Sequence, residues 1–360
     1  MDTALIAARE ASYPSPFPKG WFRLLSSKEL KAGRILRISA LGRQFVTWRD
    51  EAGAAQVLDA FCPHLGASLE HGSICEGKIQ CPFHGWRMDG EGCVTDVPYS
   101  PAKPRGAAGT AYEVAERYGM ICIWFDPAFA GRGKAEPDYP FIDLPELESD
   151  TWTARGTHEP DDVGMHLIEF SENSADFAHF QPLHGQAQIP WTQIEVPGVT
   201  LSHDASWESD PELEHVAWFR NRSGLVVRGK EIVATQTDVD VMFFGPGSIV
   251  AFRFHLPDGA GEVLLFQTHL PVAPLQQQVR FHWFSEKKVN WLNTWLVVGG
   301  WVSQWANDLH IWENKAYVPR PLLVAGDGPV PQMRSWFKQF YSDDDPQGGA
   351  PVVPLGRKRA

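Results

Sequence analysis

Long apolar runs are missing from this chain. No stretch reaches the roughly 18 apolar residues that a membrane-spanning helix needs. The most apolar run, WLVVGGWV at 295–302, is short and carries Gly299 and Gly300. No transmembrane segment is expected. The opening residues MDTALIAARE show no basic region ahead of an apolar core, so no secretory leader is expected. Cysteine is scarce, five in 360 residues. That number does not suggest a disulfide framework, and a cytoplasmic location is the expectation. Positive charge is also short, with 32 Lys and Arg against 44 Asp and Glu and a net charge of −12. Nucleic acid and anionic membranes both demand a positive field, so neither is expected as a general partner. A local basic dock for a redox protein remains compatible with this balance. Internal repeats and low-complexity blocks are absent as well. Asn221, Arg222 and Ser223 match a glycosylation sequon, which carries no meaning in the cytoplasm.

What is present is an ordinary globular composition, 43% hydrophobic and 21% charged. The length suits about two domains. Fifteen tryptophans read first as core and interface residues. Residues 1–17 end in SYPSPFPKG and read as an extended lead-in. Over 18–126, short β-branched and aromatic runs such as GRILRISALG, RQFVTWRD, AAQVLDAF and GMICIWFD alternate with Gly and Asp, the pattern of an all-β unit. A charged, Pro-containing connector follows. The stretch 151–342 mixes long alternating strands with helices expected near 163–180, 289–315 and 331–341. HVAWFRNR and SGLVVRG read there as two strands. Residues 343–360 read as a flexible tail. The fold class is α+β, with an antiparallel sheet and flanking helices that could wrap a pocket.

The first chemical motif lies in CPHLGASLEHGSICEGKIQCPFHGW at 62–86. Cys62 and His64 form a C-x-H pair; Cys81 and His84, sixteen residues on, form a C-x-x-H pair. Zinc fingers usually group their histidines in a separate pair or use C-x2-C twice. Mixed Cys/His pairs suit a [2Fe–2S] cluster in which two thiolates hold one iron and two imidazoles the other. Gly66, Gly72 and Gly85 would let the backbone approach the inorganic core.

The second motif is EFSENSADFAHFQPLHG at 169–185, with Glu172, Asn173, Asp176, His179 and His184. Asp176 and His179 are three apart and would share a helix face. His179 and His184 are five apart, which a continuous helix would aim in different directions. Pro182 lies between them and is expected to break the helix, letting His184 swing back. Two convergent histidines and a carboxylate form the facial triad of non-haem Fe(II) oxygenases. On the late helix, SQWANDLHIWENKAY, Asp308 has Trp301, Gln304, Ile311 and Trp312 on or near its face, while Glu313, five residues on, points elsewhere.

The first motif resembles the Rieske family. Ala67 and Phe83 stand where the respiratory branch has an extra cysteine pair, and Trp86 where it has a cluster-bonded Ser. The resemblance is therefore to the oxygenase and ferredoxin type. Cys75, Cys93 and Cys122 are left as plain thiols. The second motif resembles the D-x2-H-x4-H signature of Rieske non-haem iron oxygenases. HIWENKAYVPRPLLVAGDGPV, MRSWFKQFY, FHGWRMDGEGCVTDVPYS and AERYGMICIWFDP are similar to its steroid- and sterol-acting subgroup. That subgroup comprises the 3-ketosteroid 9α-hydroxylase, cholesterol 7-desaturase and bacterial sterol C-4 demethylase types.

The resemblance implies a Rieske domain at 18–126, with Cys62, His64, Cys81 and His84 on a [2Fe–2S] cluster. It implies a helix-grip-like catalytic domain at 151–342, with His179, His184 and Asp308 on Fe(II). Asp176 would bridge electrons between subunits of a homotrimer, and Asn173 would lie in the catalytic segment. NAD(P)H, through a ferredoxin or flavin reductase, and O2 would be co-substrates. The substrate would be a steroid- or sterol-like apolar molecule, hydroxylated, desaturated or demethylated at an unactivated C–H bond. The alternatives are a non-steroid substrate or a Rieske electron carrier with an inactive second domain. Arg220, Arg228 and Arg253 lie on strands of unknown facing and bear on whether a carboxylate substrate could be held.

Overall fold

The computed structural model describes residues 3–129 and 131–341. The tail expected at 343–360 lies outside the described residues. The amino-terminal third builds three small antiparallel sheets. One joins Gly20–Ser26, Met120–Phe125 and Val114–Arg117. A second joins Leu36–Ala40, Arg43–Arg49 and Ala55–Asp59. The third has four short strands, from Ser73–Cys75 to Val94–Asp96, and supports the Cys/His loops. Their cores are separate. Val46, Trp48, Ile79 and Met88 pack under the Cys/His loops. Phe22, Phe45, Ile121 and Phe125 pack between the other two sheets.

The rest of the chain forms one nine-stranded antiparallel sheet. It runs from Trp152–His158 through Gln276–Glu286, Gly261–Ala273, Ile249–Leu256, Thr237–Phe244, Val216–Val227 and Glu195–Ser209 to Gln186–Gln188, with Lys230–Glu231 paired to Val216–Val227. The two strands read from HVAWFRNR and SGLVVRG are one continuous strand, Val216–Val227. Their boundary at Arg222 and Ser223 stays in register with Asp204 and His203 across the ladder, so it is no turn. The long helix Trp291–Trp312 packs on the sheet through Trp301 against Phe252 and Trp305 against Phe281, at centroid distances of 4.3 and 5.2 Å. Asn290 caps it, its side chain accepting from Asn293 N at 2.8 Å.

Two expectations about helices need correction. The lead-in is not extended throughout, since Thr3–Glu10 is helical. Arg9 donates to the carbonyls of Trp312, Lys315 (2.7 Å) and Gly164 (3.1 Å), satisfying the exposed end of the long helix. The stretch 163–180 is not one helix. Ile168–Ala175 ends at Asp176, whose backbone is extended (φ −95°, ψ 92°). A 3-10 turn, Phe177–His179, and a short helix, Phe180–His184, follow. The break therefore lies at Asp176, not at Pro182. Pro182 sits in the first turn of its helix, where its missing N–H costs nothing.

Candidate active site

The loops of the first motif are near copies of each other. Gly66 N donates to Cys62 O at 2.9 Å, and Gly85 N to Cys81 O at 3.1 Å. Both glycines have φ of 74°, a left-handed turn that glycine enters without strain. Gly72 does something else. A Cβ there would meet Gln80 O at 2.2 Å, so its role is close strand approach. The turns bring Cys62 and Cys81 into the buried side and His64 and His84 to the tip, with ring centroids 4.8 Å apart. Nδ1 of each histidine is buried with no protein partner among the described residues. Burial pushes the Cys62 thiol up to about 11, so holding a thiolate here at neutral pH calls for a metal to replace the proton. Two buried thiols and two orphaned imidazole nitrogens fit a [2Fe–2S] cluster. Trp86 stacks on His64 at 4.4 Å, and its indole N–H goes to Tyr99 Oη at 2.8 Å. Leu65, Phe83 and Tyr99 are 66%, 61% and 60% exposed, an apolar rim around the histidines. Cys75, Cys93 and Cys122 are free thiols, Cys122 fully buried.

The second motif closes on one point. One ligand atom each from His179, His184 and Asp308 lies within 4.8 Å of the others. His184 Nε2 stands 3.4 Å from Asp308 Oδ2. The other nitrogen of each imidazole is already committed. His179 Nδ1 donates to the main-chain carbonyl of Asp176. His184 Nδ1 donates to Gln304 Oε1 at 3.2 Å. Gln304 is oriented in turn by donating to Gln186 O at 3.0 Å, and Asn307 Nδ2 donates to Leu183 O at 2.8 Å. Both Nε2 atoms are thereby left facing Asp308, whose Oδ1 is buried without a partner among the described residues. Burial holds His179 below the ordinary histidine value against the opposing pull of Asp308, which favours the neutral, metal-binding form. Two imidazoles and one carboxylate fit non-haem Fe(II).

The other residues singled out in the sequence lie in different places. The carbonyl of Asp176, not its carboxylate, fixes the His179 tautomer. The carboxylate accepts from Ala178 N at 3.2 Å and caps the 3-10 turn. Glu313 is exposed and remote from the triad, and Ile311 is 39% exposed, away from the Asp308 face. Trp301, Trp305, Asp308 and Trp312 share the inward face instead.

A cavity of about 640 Å³ reaches this triad. Alternate residues of Val216–Val227 (Phe219, Asn221, Ser223, Leu225, Val227) line its floor, as strand geometry requires. Phe252, Phe254, Leu296 and Trp301 close other sides, and Asn173 is part of its wall. Among the described residues, no Lys or Arg lines it. Arg220 pairs outward with Glu208 and Asp240, and Arg253 with Glu146 and Glu262. Arg228 lies in the turn after its strand. His203 lines the cavity too and escaped the sequence reading. Its Nε2 donates to His184 O at 3.2 Å, Phe180 stacks on it at 5.0 Å, and burial lowers its pKa.

The helix holding Asn173 is braced from beneath. Glu169 and Glu172 meet Lys315 at 2.5 and 3.1 Å, and Arg334 Nε meets Glu172 at 2.5 Å.

Comparison with known proteins agrees with this geometry. Residues 20–112 match the Rieske [2Fe-2S] domain, and 123–341 match the 3-Ketosteroid 9alpha-hydroxylase C-terminal domain. Cholesterol 7-desaturase of Caenorhabditis elegans is 32% identical over 354 residues, covering 94% of this chain and 80% of that protein. The oxygenase component of 3-ketosteroid-9-alpha-monooxygenase from Rhodococcus rhodochrous is 29% identical over 344 residues, covering 92% of this chain and 85% of that protein. Among solved structures, dicamba monooxygenase bound to dicamba shares the fold at TM-score 0.62 and 18% identity, covering 91% of this chain and 98% of that one. NdmA of Pseudomonas putida CBB5 with caffeine shares it at 0.64 and 20%, covering 88% and 89%. No helix among the described residues is long and apolar enough to cross a membrane. With a Rieske half, a His-His-Asp triad and this catalytic half in one chain, the protein belongs to the Rieske oxygenases, as an oxygenase component of the steroid-related group.

Proposed function

We propose that the chain oxidises an unactivated C–H bond of a steroid or sterol by hydroxylation, desaturation or methyl oxidation. The observation that carries this is the cavity: about 640 Å³, walled mostly by aliphatic and aromatic residues, with no Lys or Arg from the described residues, and ending on His179, His184 and Asp308. That volume falls in the range of ligand pockets, roughly 300–1,000 Å³. A carboxylate substrate would find no counter-charge there. The names of the relatives point the same way.

In this reading Cys62, His64, Cys81 and His84 hold the cluster, and His179, His184 and Asp308 hold the iron. The division is a Rieske unit at 18–126 and a catalytic unit at 151–342. Once bound, the cluster would supply electron transfer and the iron would supply O2 activation for C–H oxidation, with a reductase drawing the electrons from NAD(P)H. Hydroxylation balances as R–H + O2 + NAD(P)H + H+ giving R–OH + H2O + NAD(P)+. Gln304 and the Asp176 carbonyl keep both imidazole Nε2 atoms aimed at the iron. The aromatic walls exclude water and hold the substrate, with Asn173 beside the reacting end.

Electrons would pass from the cluster through the exposed rim of Leu65, Phe83 and Tyr99. A second exposed apolar patch, Leu322, Leu323 and Val324, lies on the segment whose Asp327 carbonyl binds Phe177 N, next to Asp176. The two patches motivate a head-to-tail homotrimer in which one subunit's cluster would dock beside its neighbour's Asp176. The test is turnover of a panel of sterols and 3-ketosteroids with a surrogate reductase, NADH and O2, read by mass spectrometry. An oxidised steroid that disappears in Asp308→Ala supports the reading. If every steroid returns unchanged from protein holding both metal centres, the substrate class is wrong.

A further inference from the structure

The floor of the cavity is apolar except at one place. His203, Ser223 and Thr237 stand on one rung of three neighbouring strands, and Asn221 is two residues along from Ser223. Around them the floor is Val239 and Phe254. The hydrogen bonds of this spot have a fixed direction. The His184 carbonyl can only accept, so His203 Nε2 carries the proton at that 3.2 Å contact. His203 Nδ1 is then the bare acceptor, and Asn221 must offer its amide nitrogen, 3.1 Å away. Among the described residues, the Asn221 oxygen is left buried with no protein partner. The sequon at this position is thus half-buried and turned into the cavity, with its amide nitrogen engaged.

An unpaired buried acceptor costs stability until a donor reaches it. We infer that Asn221 accepts a hydrogen bond from a hydroxyl group of the substrate, making this site selective for a steroid alcohol over the matching ketone. The inference rests on the steroid reading above and sharpens it. A ligand hydroxyl donates to the Asn221 oxygen while the Ser223 and Thr237 hydroxyls lie alongside. A ketone brings only lone pairs and leaves that oxygen unsatisfied, with only Ser223 free to donate to the ketone, since Thr237 Oγ1 already donates to Thr235 O at 3.4 Å. The two named relatives carry the two alternatives in their names, a cholesterol and a 3-ketosteroid.

The test is a binding measurement on the purified holoprotein. Trp301 and Trp305 line the cavity and report occupancy by fluorescence quenching. The probes are 5α-cholestan-3β-ol and 5α-cholestan-3-one, which share a skeleton, delivered from cyclodextrin. The alcohol is expected to bind at least about tenfold more tightly, since a site built to bond a hydroxyl rejects an analogue that lacks it. In Asn221→Leu the gap should close to within about threefold, mostly through weaker alcohol binding. If Asn221→Leu loses its cluster absorption, Asn221→Ala removes the same acceptor without bulk and carries the test. Equal binding of both probes by the wild type, or tighter ketone binding, overturns the inference, as does a preference that survives loss of Asn221. Failure of both probes to bind overturns the steroid reading itself, a different result from equal binding.

Discussion

The two metal-binding regions of this chain are built on opposite plans. The Cys/His tip buries its thiols but turns its histidines outward under an exposed rim of Leu65, Phe83 and Tyr99. The His-His-Asp triad is turned inward, with Asp308 5% and His184 7% exposed, at the end of an apolar cavity. A centre that hands electrons to another molecule needs a short path to the surface. A centre that reacts with a C–H bond needs substrate close and water excluded. The difference in burial follows from that difference in task.

The strongest way to break the comparison is to remove one centre and ask whether the other survives. Cys81→Ala should abolish the cluster's visible absorption and all NADH-driven turnover, while iron analysis still finds the mononuclear metal. Loss of both would mean that the regions are not independent.

The brace under Asn173 comes next. Burial pushes the Glu172 carboxyl up, but Lys315 and Arg334 outweigh it and leave it below its usual value. Glu172→Gln should cost about 3 kcal/mol in denaturant unfolding at neutral pH, because it leaves buried cations short of a partner. A depressed carboxyl stabilises above its unfolded value of 4.5 and loses that contribution as pH falls through the folded one. The stability gap between wild type and variant should therefore shrink below about pH 4.5. A gap that widened on acidification would contradict this.

A third variant sharpens the inward plan. Gln304→Leu keeps all three triad residues but frees the His184 ring, and iron affinity should fall about 10- to 100-fold in a chelator competition. The smallest effect is expected at the rim. Leu65→Ser with Phe83→Ser should leave the cluster spectrum and substrate binding unchanged and slow turnover several-fold, roughly the loss of two apolar contacts at a docking face. Sedimentation of the same variant tests whether the rim also holds the ring together.

Much of the first region was legible in the sequence because its chemistry is local. C-x-H and C-x-x-H each lie within one turn, and GMICIWFD and RQFVTWRD are apolar enough to read as strands. The triad was legible largely through resemblance: the D-x2-H-x4-H pattern marked His179 and His184, and the family's late-helix carboxylate pointed to Asp308. How they converge was not. The turn at Asp176 competes with the more obvious breaker, Pro182, which first-turn geometry tolerates. The strand Glu195–Ser209 went unread because its outer face is polar and Pro197 and Gly198 interrupt it. His203, Gln304 and Asn221 could not be assigned from sequence. Each acts through a partner 18 to 120 residues away, and nothing in the local pattern marks it.

The central claim, two separable metal centres with Asp308 completing the inner one, is tested most directly by iron analysis joined to cluster spectroscopy on Asp308→Ala. The account predicts an unchanged [2Fe–2S] spectrum, loss of the one additional iron per chain and no turnover. A variant that retained that iron, or lost the cluster with it, would contradict the assignment.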